Sequence, residues 1–237
     1  MQDIKTVNTP SGTNKYLCSP TNYIIKIKEI KLHKTDPINT SYDKDNGTRI
    51  YYNENDYDEY DIVSPIELEK NYVTVPPREQ FDYVSILIKN DIKMNITAQF
   101  KNRDYSYFSK SGVYNGNQNL SIKTTNPAED FILKINHYTN GSFDSVNDND
   151  VSEDIKAILL DKDNVPSSSP SSIEKVFIRF KNNGGPLLIL NRLNINFETT
   201  RRTYIESSNW GNWISASPND ANKPFFKTLP FVINVSV

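Results

Sequence analysis

Apolar and polar residues alternate with a period of two along most of the chain, and the 3.6-residue period of a helix is nearly absent, which predicts an all-β protein. The first clear strand covers 22–34. Tyr23, Ile25 and Ile27 share one face there, and Ile30 and Leu32 then take the opposite parity, a switch that predicts a bulge or a bend. In 81–89, Val84, Ile86 and Ile88 alternate with Tyr83, Ser85 and Leu87, so both faces of that strand are expected to be buried. Residues 91–100 give a half-buried pattern in Ile92, Met94, Ile96, Ala98 and Phe100, with Asn90-Asp91 expected as a tight turn before it. Phe131, Leu133 and Ile135 mark a further strand, and Tyr72 to Val75 a short one closed by Pro76-Pro77. Val176, Ile178 and Phe180 lead into Asn182-Asn-Gly-Gly-Pro186 and then into Leu187 to Phe197, which reads as the best hairpin in the chain. The last strand, 230–237, puts Phe231, Ile233, Val235 and Val237 on one face.

One helix is predicted, over 152–160. Ser152 is its N-cap, acids fill its first turn, and Ile155, Ile158 and Leu159 lie on one side. Many short strands with irregular turn-rich loops and a single short helix describe a two-sheet β-sandwich of jelly-roll type. The expected organisation is an extended N-terminal arm over 1–20 and one sandwich domain over 21–237. That domain carries an acidic, Tyr-rich loop at 36–61 and a Pro/Ser loop at 165–172. The run Glu174 to Asn196, EKVFIRFKNNGGPLLILNRLNIN, resembles the late hairpin of galactose-binding-like jelly rolls. That resemblance covers about a tenth of the chain and carries no ligand-contacting motif; it implies the architecture rather than sugar binding.

The chain has 237 residues, long enough to bury a core, with 27 Lys+Arg against 29 Asp+Glu and a net charge of −2. Mixed charges of this kind make no uniform field for nonspecific nucleic-acid binding, and the basic residues form no stripe with interleaved aromatics. No apolar run is long enough to cross a bilayer, so no membrane insertion is expected. The first twenty residues lack the basic and apolar regions of a secretory signal, so synthesis and retention in the cytoplasm are expected. A single cysteine, Cys18, excludes an internal disulfide framework and a Cys-rich zinc site. His33 and His137 sit in strand patterns with no nucleophile motif near them, and neither a P-loop nor a dinucleotide glycine fingerprint is present. No enzyme activity is therefore expected.

Two stretches stand out as candidate contact surfaces. Between Asp36 and Asp61 eight acids face only Lys44 and Arg49, and tyrosines including Tyr57 and Tyr60 are woven through them. Tyrosine is amphipathic and favoured at interfaces, so this segment is a candidate docking loop. Asp43, Asp45 and Glu54 fall at positions 1, 3 and 12 of a twelve-residue count, a partial match to a calcium loop. Gly47 stands at position 5 and Thr48 at the turn position, against the pattern. A solvated acidic loop is the alternative reading, and calcium is the sole cofactor the sequence suggests. The second stretch holds Trp210 and Trp213 in a polar, turn-prone run just after Arg201, Arg202 and Tyr204. These residues suit a protein interface, a glycan-stacking platform or the end of the core.

The expected function is that of a non-enzymatic structural subunit of a large assembly, most plausibly a virion component such as a capsid, minor capsid, cement or tail protein. Its partners would be copies of itself or other structural proteins, and its location the virion. A carbohydrate- or receptor-binding β-sandwich module is the alternative.

Overall fold

The computed structural model describes residues 5–8, 14–38, 42–43, 45–64, 79–99, 106–115, 119–124, 128–136, 155–182, 187–188, 194–199, 203–206, 225–228 and 231–236. Among them are twenty strands and no helix. The first seven are β1 (Lys5–Asn8), β2 (Asn14–Cys18), β3 (Asn22–His33), β4 (Thr48–Tyr52), β5 (Asp58–Asp61), β6 (Gln80–Phe81) and β7 (Tyr83–Lys89). β8 (Ile92–Asn95), β9 (Thr97–Gln99), β10 (Ser106–Ser109), β11 (Val113–Asn115), β12 (Asn119–Thr124), β13 (Phe131–Lys134) and β14 (Ile155–Leu160) follow. The last are β15 (Lys175–Lys181), β16 (Leu187–Leu188), β17 (Asn194–Glu198), β18 (Thr203–Glu206), β19 (Phe225–Thr228) and β20 (Val232–Ser236).

They form a seven-stranded sheet in the order β1-β2-β18-β19-β12-β10-β9, a nine-stranded sheet and two small pairs, β16-β6 and β17-β20. The segment read as an N-terminal arm thus contains β1 and β2, and β2 pairs antiparallel with β18 of the same chain.

β3 organises the larger sheet. One of its edges takes β5 at Ile24 to Ile27 and β4 at Glu29 to Leu32. The other takes β8 at Asn22 to Ile24 and β7 at Ile27 to His33. The register shifts at Ile27/Glu29 and at Ile30/Lys31, where the parity of the apolar positions changes. The bulge keeps Tyr23, Ile25, Ile27, Ile30 and Leu32 all in the core despite that change.

β7 and β8 run in the same direction along the same edge of β3, so Asn90-Asp91 is not the tight turn expected from the sequence. It is a jog at which the sheet forks, because β7 continues outward to β15 and β14 while β8 continues to β13 and β11. Asn90 fills the fork. Its backbone N–H donates to the Glu174 carbonyl at 2.8 Å, and its buried side chain donates to the Ile135 carbonyl at 2.9 Å and accepts the Ile135 N–H at 2.6 Å.

Two further expectations are overturned. Residues 155–160 form β14 instead of a helix, paired with β15 from Ile155↔Phe180 to Leu160↔Lys175. A short isolated helix is unstable, whereas the edge of β15 satisfies the backbone and buries Ile155 and Leu160. The hairpin read at Glu174 to Asn196 is absent as well, because β7 and β14 occupy both edges of β15. β16 pairs instead with β6, and β17 with the C-terminal β20.

The main core lies on one face of the nine-stranded sheet. It joins Ile86, Ile88, Met94, Phe131, Ile178 and Phe180 to Cys18 of β2, Ala98 of β9, and Phe231 and Ile233 at the C-terminal strand. Phe231 sits at its centre, edge-on to Tyr23 at 5.8 Å and stacked on Phe180 at 5.9 Å. The opposite face is covered locally. Ile38 and Tyr42 pack on Leu87, Phe177 and Leu160, which is why β7 is buried on both sides, as its alternation predicts, and β15 is as well. The strand before Pro76-Pro77 lies outside the described residues.

Candidate functional site

The acidic, Tyr-rich stretch over 36–61 is not a single loop. Its second half forms β4 and β5, both laid along β3, and Ile38 and Tyr42 of its first half cover Leu87 of β7, Phe177 of β15 and Leu160 of β14. The described residues bring three features together there.

The first is a row of alternating cations and tyrosine rings. The Arg49 guanidinium sits 4.1 Å from the centre of the Tyr52 ring, and Lys28 Nζ lies 5.2 Å from that ring and 5.8 Å from Tyr57. Lys89 Nζ lies 6.0 Å from the Tyr57 ring. Lys28 also donates to the carbonyls of Glu54 and Asp56, at 3.1 and 3.4 Å, so the turn between β4 and β5 is tied to β3 from beneath. Arg49 is held in turn by Glu29. Each contact of this kind contributes about 0.5–1 kcal/mol when exposed, and the row fixes two half-buried rings in place. Burial raises the Tyr57 phenol above its ordinary pKa, and Glu174 and Asp56 add to the shift. Tyr60 lies deeper, packed against the main core, with its hydroxyl 3.4 Å from that of Tyr51. Tyr51 donates in a short hydrogen bond to Asp58, and burial together with Asp58 and Tyr60 raises its pKa strongly.

The second feature is a polar row beneath the covering residues. Arg179, 2% exposed, donates to Asp36 Oδ2 at 2.7 Å and places its guanidinium 5.1 Å from the Tyr83 ring; Lys156 reaches the same Asp36 oxygen at 3.5 Å. His33, 1% exposed, shares a 2.7 Å hydrogen bond between Nε2 and Ser85 Oγ. Burial lowers the His33 pKa to about 4, and Lys31 pushes the same way against Asn46, Asp36 and Asp43. The histidine and the serine are both buried in the sheet face.

The third is an open cleft of about 440 Å³ lined by Tyr42, Asp43, Asp45, Asp163, Asn164, Val165 and Pro166. It joins the two Asp-Lys-Asp-Asn segments, 43–46 and 161–164, across the sheet. In each the first aspartate accepts the N–H two residues on, Asp45 to Asp43 and Asp163 to Asp161. Burial, then Glu29, Asp45 and Asp43, pushes Tyr42 up to about 12.

Of the residues singled out in the sequence, Asp43 and Asp45 line this cleft, while Glu54 lies in the β4–β5 turn and is not part of its lining. Among the described residues no group of three or more His, Cys, Asp or Glu side chains is placed to hold a metal ion. Tyr57 and Tyr60 belong to the folded β4–β5 unit. Tyr204 is in β18, opposite Leu17 and Lys227, and nothing is described of its side chain. Arg201, Arg202, Trp210 and Trp213 lie outside the described residues. No described helix is long and apolar enough to cross a membrane.

Sequence reasoning placed Arg49 and Tyr52 within the acidic, Tyr-rich run but missed Lys28 and Lys89, which lie on other strands and share no motif with it. The parity of Lys28 opposite the core positions of β3 is the one local sign of its outward placement. Compared with known proteins, the sequence matches no family model, and no curated protein or solved structure matches it.

Proposed function

We propose that this chain is a non-enzymatic structural subunit of a large assembly, acting through protein–protein packing, with a virion as that assembly and further copies of the chain as its neighbours. In this reading the two large sheets are the layers of a jelly-roll-like sandwich, supported by the sharing of one core between Cys18 and Ala98 of the smaller sheet and the larger sheet. The contact surface is the β4–β5 face.

The observation that carries the reading is the row Arg49, Tyr52, Lys28, Tyr57 and Lys89. Tyrosine and arginine are enriched in interface cores, and side chains already fixed in place lose little further entropy when a partner docks. The exposed Val63, Val113 and Val165 add apolar contact points elsewhere on the surface. Electron microscopy of the concentrated, full-length chain tests the proposal: ordered particles or lattices support it, and a field of separate single subunits counts against it.

A further inference from the structure

Gly47 lies against the Nδ1–Cε1 edge of the His33 ring. A Cβ at Gly47 would fall 2.5 Å from both Nδ1 and Cε1 of His33 and 2.8 Å from the Leu32 carbonyl oxygen, and the residue needs its positive φ of 97°. Among the described residues His33 Nδ1 has no hydrogen-bond partner, while Nε2 is engaged by Ser85. A neutral ring meets both conditions, with its proton on Nε2 and the Nδ1 lone pair at the edge that meets the glycine turn. A second proton would put an N–H and a full charge at a buried nitrogen, where the Asn46 side chain favours the charged form but burial, the larger effect, opposes it.

The charged and titratable groups around the ring come from four elements. Lys31 lies on its own strand, Tyr83 is its partner across β7, and Arg179 of β15 stands opposite Ser85; Asp36, Tyr42 and Asp43 belong to the cover. Phe177 meets the ring edge-on at 6.5 Å, and Tyr42 in turn packs on Phe177 at 5.0 Å. His33 and Tyr42 thus both touch Phe177, which links the ring to a residue that hides the outer face.

We propose that His33 is an acid-sensitive latch: a second proton on its ring lifts the cover formed by Asp36, Ile38, Tyr42, Asn46 and Gly47 and uncovers Leu87, Phe177 and Ser85 on the outer face of the sheet. The cover is the natural element to yield. Among the described residues it holds the face through the Asp36 carboxylate, the side chains of Ile38 and Tyr42 and the Asn46 side chain beside His33, whereas β7 and β15 are bonded to each other along their whole length. The device does not depend on the assembly role, although it would change the surface available to a partner.

Hydrogen exchange of the full chain at pH 7 and at pH 4.5, corrected for intrinsic rates, reads the latch. A ring held at about 4 under the cover and at its ordinary value of about 6.5 once exposed makes opening easier by on the order of fiftyfold at pH 4.5. The amides of Ile38, Tyr42, Asn46 and Gly47 should lose protection by that factor while those of β15 keep theirs, and His33→Gln should remove the pH dependence. Unchanged protection of the cover, equal loss in His33→Gln, or loss shared with β15 would each overturn the proposal. If His33→Gln does not fold, NMR titration of the wild-type chain decides, since it has two histidines to assign. The Gly47 amide must shift with the midpoint of the His33 ring; independent behaviour overturns the latch.

Discussion

Asn90 and Ile135 exchange two hydrogen bonds, the Ile135 N–H donating to Asn90 Oδ1 at 2.6 Å and Asn90 Nδ2 donating to the Ile135 carbonyl at 2.9 Å. Asn90 is 5% exposed, so neither group has water as an alternative. The pair closes the fork at which β7 and β8 part company. Asn90→Ala leaves a buried donor and a buried acceptor unpaired and should cost about 2–4 kcal/mol. A urea titration checks this, with a lowered midpoint at unchanged slope expected. A loss below about 0.5 kcal/mol would mean that the fork is held elsewhere.

Gly47 combines a positive φ with contact against a buried ring. Gly47→Ala adds a methyl group that must displace His33 or the Leu32 backbone, so it should destabilise the fold by about 1–3 kcal/mol and loosen the cover at neutral pH. Thermal unfolding together with limited proteolysis of 36–47 measures both. An unchanged melting temperature would contradict the packing of this turn.

Cys18 is fully buried where β2 meets the main core, and burial pushes its thiol up to about 12. Raising the pH from 7 to 9 therefore produces almost no thiolate in the folded chain, whereas an unfolded cysteine ionises near pH 8.5. Labelling with a chromogenic disulfide at pH 8 should be slow in buffer and complete in denaturant. Rapid labelling of the native chain would place Cys18 outside the core.

The strands legible in the sequence are those whose two faces differ or whose flanks are both filled by neighbours. β3, β7, β13 and β15 follow their alternation, and the parity change after Ile27 marks a real bulge. Pairing was not legible, because alternation states which face is buried and not which edge is used. Asn90-Asp91 and the Gly-Gly-Pro segment after β15 both carry turn chemistry, yet in neither case do the strands on either side pair with each other. Residues 155–160 show the same limit: Ile155, Ile158 and Leu159 fit a helical face, and the open edge of β15 decided the matter. In the candidate site, Tyr57 was visible as one of many tyrosines in an acidic run. Its cation neighbours come from β3 and β7, at sequence distances that no local pattern reports.

The proposed assembly role rests on the β4–β5 face, and sedimentation velocity of the full-length chain over a concentration series tests it most directly, with Tyr57→Ala measured beside it. The account predicts species several times the 27.2 kDa subunit for the wild-type chain and a shift toward the single subunit for Tyr57→Ala, with both giving the same β-type circular dichroism spectrum. A wild-type chain that sediments as a single subunit at every concentration would contradict it.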